Sequence, residues 1–108
     1  MKKTKLGEFE ELVLLAVLAL RAEAYGVSIK RELEKRLEDT LSVETVQSAI
    51  KRMEEKGLLT SKWGEAERIR GGKRKRIYQA TSYAQKVLTE IKDIRSGLWT
   101  TILKTQNI

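Results

Sequence analysis

Apolar positions fall at helical spacing over three successive stretches of this chain, alternate briefly, and return to helical spacing towards the end. The first stretch opens with Glu8, Glu10 and Glu11, carboxylates suited to the positive end of a helix, and runs into "LVLLAVLAL", Leu12 to Leu20. A helix apolar on nearly every side is expected to be covered on nearly every side, at the centre of the core and partly at a subunit contact. "AEAYG" breaks it. A second helix is read from about Val27 to Leu37, with Val27, Ile29, Leu33 and Leu37 inward and Lys30, Arg31, Glu34 and Lys35 outward.

Ser42 is placed to cap a third helix, with Glu44 favourable to its dipole. Val46, Ile50 and Met53 repeat at helical spacing, and Val43 and Ala49 widen the buried stripe. Thr45, Gln47, Ser48, Lys51, Arg52 and Glu55 make up the other side, and Gly57 ends the helix. "LLTSKW" (58–63) and "RIYQAT" (76–81) read as two strands of a hairpin, with Tyr78 and Ala80 inward, Trp63 packing at its base and the tip "ERIRGGKRKR" between them. Thr81 or Ser82 caps a last helix to about Leu103, whose apolar positions Val87, Ile91, Ile94, Leu98 and Ile102 step by four, three, four and four.

Helix, helix, helix, hairpin, long helix is the order of a winged helix-turn-helix with an added C-terminal helix, a mainly α fold with a small β-hairpin. Residues 6–81 are expected to form the DNA-binding domain and residues 82–105 a dimerisation helix. In such a fold the third helix offers its polar side to a major groove and the hairpin tip meets neighbouring phosphates. Ser42, Thr45, Gln47, Ser48, Lys51 and Arg52 are then the candidate contacts on the helix. Gln47 has the geometry to pair with adenine, and Lys51 or Arg52 with guanine or phosphate. Arg70, Lys73, Arg74 and Lys75 are the candidates on the hairpin. From Arg68 to Arg76 six of nine positions are Lys or Arg and none is acidic. A merely solvated loop or a nuclear tag would account for such a tract, but "IKRELEKRLED" shows how a solvated face here mixes signs, and strands flank the tip.

Charge and composition point the same way. Lys+Arg 22 against Asp+Glu 15 gives a formal net charge of +7, a lean towards nucleic acid or an acidic membrane surface. The absence of cysteine and histidine removes disulfides, thiolates and the commonest metal ligand and general base. No cofactor or metal is expected. Glu8 and Glu11 lie one turn apart, but carboxylates in a first turn answer to the helix dipole, and an enzyme is not expected. Lys2, Lys3 and Lys5 before an apolar run, with "AEA" beyond it, have the outline of an export signal. Three intervening glutamates argue against that, and nine apolar residues fall far short of the ~20 that span a bilayer. A cytoplasmic protein without a membrane partner is expected.

The chain resembles the PadR family of bacterial transcription regulators, in particular its short members. "LVLLAVLAL" followed by "AYGVSI", then "AIKRMEEKGLL", "SKWGEAERIRGGKRKRIYQAT" and the final helix carry the likeness, from Leu6 to about Leu103. Two features depart from the family pattern. Gln47 and Ser48 stand where it has tyrosine and proline, and Thr81 with Ala84 replaces its threonine-then-glycine. A base contact through that tyrosine therefore does not carry over. The resemblance implies a homodimeric repressor on a palindromic double-stranded DNA operator, with the last helix packed on the partner's first helix. It also implies that Trp99 lines an interface cleft for a small flat aromatic inducer; core packing is the plainer role. Independently, a final helix of more than ~30 Å has more apolar stripe than ~80 residues can cover. An architectural or RNA-binding winged helix without operator specificity is the alternative, and a protein-interaction winged helix a third class. Operator, inducer and target genes are not legible.

Overall fold

In the computed structural model, which describes residues 6–64 and 74–106, α1 (Glu8–Leu20) starts where a glutamate reaches back to close it. The Gly7 N–H donates to Glu10 Oε1 at 2.8 Å, which satisfies one of the donors a helix start leaves open. α2 (Gly26–Leu37) is closed similarly by the Tyr25 N–H on Ser28 Oγ at 2.9 Å. It ends at Glu38, in the left-handed region at φ 54°. The turn to α3 (Val43–Glu55) is held by the Leu41 N–H on Glu34 Oε2 at 2.8 Å, and Lys30 pairs with the same carboxylate at 3.1 Å. Ser42 caps α3 as expected, its Oγ accepting the Thr45 N–H at 3.0 Å. Gly57, at φ 75°, turns the chain out, and the Leu58 N–H closes on the Met53 carbonyl at 2.8 Å.

β1 (Leu59–Trp63) and β2 (Arg76–Ala80) pair antiparallel, with Leu59 opposite Ala80, Ser61 opposite Tyr78 and Trp63 opposite Arg76. On its other edge β2 is tied to the start of α2: the Tyr78 N–H donates to the Ala24 carbonyl at 2.8 Å, and Tyr25 bridges Ile77. Thr81 then caps α4 (Ser82–Gln106), accepting the Ala84 N–H at 3.0 Å and donating to the Gly57 carbonyl at 2.8 Å. Leu14, Ile29, Ile50, Met53 and Leu58 are fully covered where the first three helices and the hairpin meet. The fold is the expected mainly α winged helix-turn-helix with a long C-terminal helix.

Several expected burials fail. Val27 and Leu37 on α2 and Val43 on α3 are exposed, because the helical period continues past the point where a neighbouring element covers it. α1 is not wrapped on all sides, since Leu12, Leu15 and Leu18 are open to solvent. Trp63 is not packed into the hairpin base. It is 60% exposed, with the Arg76 guanidinium 5.5 Å above its ring. α4 extends to Gln106, beyond the expected end. Of its five stripe residues, Val87 is buried in the chain's own core and Ile91 is half-buried against it, leaving Ile94, Leu98 and Ile102 uncovered. α4, at 25 residues and about 37 Å, outruns the domain that its first turns rest on.

Glu10 is the one charged residue of the core among the described residues, 5% exposed. Lys56 Nζ lies 3.1 and 3.2 Å from its two oxygens, and Arg52 Nε lies 3.3 Å from Oε2. Burial pushes its carboxyl up, but the Gly7 N–H, Lys56 and Arg52 together outweigh that and hold it below the ordinary 4.5. A folded-state pKa below the unfolded one contributes stability that is complete above pH 4.5 and is lost as pH falls through and below it. Glu10→Gln is expected to lower stability at pH 7 by about 1–3 kcal/mol, because Arg52 and Lys56 lose an ionised acceptor but stay partly hydrated. Urea unfolding at pH 7 and pH 3.5 checks both points: the variant should show a smaller loss of stability on acidification than the unmodified chain.

Candidate nucleic-acid interface

At 100° per residue, the side of α3 opposite its buried stripe carries Ser48, Lys51 and Glu55, all exposed. One flank carries Thr45, Arg52 and Lys56, and faces the first turn of α1, where Glu10 engages both cations. Val43, Gln47 and Glu54 occupy the other flank and face α2 and the hairpin. The candidate residues of α3 therefore do not stand alike. Ser48 and Lys51 point outward. The Ser42 and Thr45 hydroxyls meet each other at 2.7 Å within the helix cap. Arg52 is tethered to α1, while its side chain remains half exposed.

Gln47 lies against the first turn of α2. A Cβ placed on Gly26 would come within 2.7 Å of Gln47 Nε2, so a glycine at the start of α2 is what lets this amide settle there. Beside it α2, α3 and β2 leave a cavity of about 250 Å³, walled by Tyr25, Val27, Val43 and Tyr78 and lined also by Gln47, Lys30, Lys75 and Arg76. Burial first, and then the Glu54 charge, push the Tyr78 phenol above its ordinary value, so this wall stays neutral at any working pH.

The base of the hairpin is rigidly held. Lys75 Nζ sits 4.1 Å from the centre of the Tyr25 ring, and the Gly64 N–H donates to the Lys75 carbonyl at 2.7 Å. Arg76 donates from Nε to Ser61 Oγ at 2.8 Å and lies 3.8 Å from Glu54, which the Ser61 hydroxyl also reaches at 3.2 Å. Arg74 is exposed at the end of the described hairpin. Arg70 and Lys73, the other two candidates of the tip, lie outside the described residues. The structure thus brings Gln47, Lys75 and Arg76 around one cavity, and leaves Lys51 on the outward side of α3. Tyr25 and Gly26, which set these groups in place, were not singled out from the sequence, and Glu10 was read only as a first-turn acid favoured by the helix dipole. Glu10 had a legible signal, an acid three residues after Gly7; Gly26 had none, because its role is a contact across 21 positions.

A second uncovered region lies on the helices that carry no candidate DNA contact. Ile94, Leu98, Trp99 and Ile102 are exposed along α4, and Trp99 is 62% open. Leu12, Leu15, Leu33 and Leu37 line an apolar groove of about 260 Å³ between α1 and α2. Trp99 lines a further cleft of about 440 Å³ between α4 and α1, with Leu15, Leu18 and Leu88, while Arg95 on its wall pairs with Glu11 at 3.0 Å. Among the described residues there is no cluster of His, Cys, Asp or Glu able to hold a metal ion, and no helix long and apolar enough to cross a membrane.

Residues 14–90 match the model of the transcriptional regulator PadR-like family. Three solved structures share the fold over nearly the whole chain. A PadR family transcriptional regulator from Eggerthella lenta DSM 2243 is 27% identical, with 92% of this chain and 86% of that one covered and a TM-score of 0.66. A PadR family transcription regulator from Clostridium difficile R20291 is 26% identical, with 92% and 95% covered and a TM-score of 0.56. A PadR-like transcriptional regulator from Bacillus cereus strain ATCC 14579, 19% identical, is alike in fold, with 91% and 90% covered and a TM-score of 0.69. No curated protein matches the chain by sequence.

Gly26→Ala is expected to push the Gln47 amide aside without unfolding the chain, since the clashing atom is the free end of a flexible side chain. Alanine should even stabilise the first turn of α2 by about 0.4–1 kcal/mol. The side-chain amide resonances of Gln47 should move in the variant while the melting temperature stays level or rises. Unchanged Gln47 resonances would place its amide elsewhere.

Proposed function

This chain belongs to the PadR-like family of transcriptional regulators, and on that footing we propose that it is a sequence-specific repressor that binds a palindromic operator as a homodimer. α3 enters the major groove with Gln47, Ser48 and Lys51 at the base edges, and Arg74, Lys75 and the rest of the basic tip lie on backbone phosphates. Ser42, Thr45 and Arg52 take flanking contacts, with Arg52 held at its angle by Glu10. The observation that carries this is the placement of Gln47 beside Lys75 and Arg76, the cations of a hairpin tied to the start of α2.

Residues 6–81 act as the DNA-binding unit and residues 82–105 as the dimerisation helix. Support for the dimer is the uncovered stripe Ile94, Leu98 and Ile102, together with the apolar groove on α1 and α2 that a second copy of α4 can fill. A two-fold pair of such chains presents two copies of α3 to two half-sites. Trp99, at the α1–α4 cleft, is proposed to meet a flat aromatic inducer there.

Duplexes enriched from a random pool should bind at least about 10³-fold more tightly than unrelated DNA. Arg74→Ala with Lys75→Ala should weaken binding to all duplexes and flatten the log–log salt slope by about 0.9 for each phosphate the variant no longer neutralises. Equal affinity for all duplexes would favour an architectural module instead. Separately, Ile94→Asp should cost several kcal/mol of association by burying an unpaired charge, and sedimentation should find the variant monomeric where the unmodified chain is dimeric. A monomer for the unmodified chain at micromolar concentration would reject the dimer.

A further inference from the structure

Val43 is the first residue of α3, and by spacing it belongs to the buried stripe of Val46 and Ile50. In the fold it is 56% exposed, beyond the edge of the core. A β-branched residue is a weak helix former, and in water its methyls gain nothing from burial. Single exposed apolar side chains are ordinary, so exposure by itself means little. What sets Val43 apart is its surroundings. With Val27, itself half exposed, and Tyr25 it forms an apolar wall of the cavity between α2, α3 and β2, and Gln47 lines that cavity one turn further along the same flank. Lys30, Lys75 and Arg76 line it too.

Lys30 and Arg76 are each paired with a carboxylate, Glu34 and Glu54, but both line the spot together with Lys75 and an amide, which suits a polyanion that offers one apolar group better than a neutral apolar ligand. In a DNA major groove that group is the thymine C5-methyl, the only methyl on a base edge. The first turn of a recognition helix is the part that comes closest to the bases. Val43 and Gln47 are four residues apart, about 6 Å along the helix, which corresponds to about two base steps of 3.4 Å. We propose that Val43 reads a thymine methyl within two base steps of an adenine paired by Gln47, so that these two residues together determine an A·T preference in each half-site. The inference rests on the DNA-binding function proposed above, and adds that the protein discriminates against RNA and uracil-containing duplexes at this position, since neither carries the methyl.

The test uses the full chain and a duplex enriched from a random pool, with each thymine replaced in turn by deoxyuridine. At the thymine that Val43 reads, the unmodified chain should bind about fourfold more weakly, the worth of one methyl removed from water. Val43→Ala should bind the thymine and deoxyuridine duplexes equally, with an unchanged melting temperature because the residue is not part of the core. If no deoxyuridine substitution weakens binding, if the enriched site lacks thymine near the adenine, or if the loss persists in Val43→Ala, the inference is overturned while the regulator function stands. If no sequence is enriched at all, both fall.

Discussion

The buried carboxylate of Glu10 is the constraint to which the rest of the arrangement answers. A lone charge in a protein interior is expensive, and it is tolerated here because one backbone N–H and two cations converge on it. The partners come from two helices. Gly7 begins α1, whereas Arg52 and Lys56 lie on and just beyond the last turn of α3, the candidate groove-reading helix. Satisfying the charge therefore sets the angle of α3 against α1. The next residue, Glu11, pairs with Arg95 and holds the middle of α4 to the same turn. Two successive glutamates thus connect the candidate groove-reading helix with the candidate dimer helix through a single turn of α1.

The opposite flank of α3 is fixed by a different means. There the backbone does the work, with Ala24 and Tyr25 adding hydrogen bonds to the free edge of β2. A two-stranded hairpin alone is at best marginally stable in water, and this extra pairing anchors it to the start of α2. Lys75 over Tyr25 and Arg76 between Ser61 and Glu54 then have defined positions at the base of the candidate interface. Glu54 and Glu10 act alike in this respect. Each carboxylate holds cations on its flank of α3 in place, which would lower the entropy lost in the proposed DNA binding at the expense of some net attraction.

Element identity was largely legible from residue patterns because period and punctuation are local properties. Ser42 capping α3, Gly57 stopping it at positive φ, Thr81 capping α4 and the hairpin between them all follow from residues within a few positions of one another. Coverage was less legible, because it depends on which neighbour arrives. Val27, Leu37 and Val43 satisfy a helical period as well as Ile29, Leu33 and Val46 do, yet only the latter meet another element. The candidate site shows the same division. Gln47 and Lys51 are evident from the polar side of one helix, whereas Gly26 and Glu10 act through contacts between elements that no single window contains.

The apolar residues that escape burial are not scattered at random. Leu12, Leu15 and Leu37 fall on the α1–α2 side, Ile94, Leu98, Trp99, Ile102 and Leu103 on the overhanging half of α4, with Leu18 facing Trp99 across the α1–α4 cleft, and Val27 and Val43 beside Gln47, while Trp63 and Tyr83 stand apart. In a consistent single-chain fold local pattern and global packing agree, so clustered disagreement marks places where the chain alone does not complete its own surface. Two of the three clusters are long and mainly apolar, with Arg36 paired to Glu32 beside one and Arg95 to Glu11 beside the other, as suits a second protein surface. The third is small and surrounded by cations, which suits the edge of a nucleic acid better than the side of a protein. The same failure of burial therefore separates into two kinds of proposed partner by the charge that accompanies it.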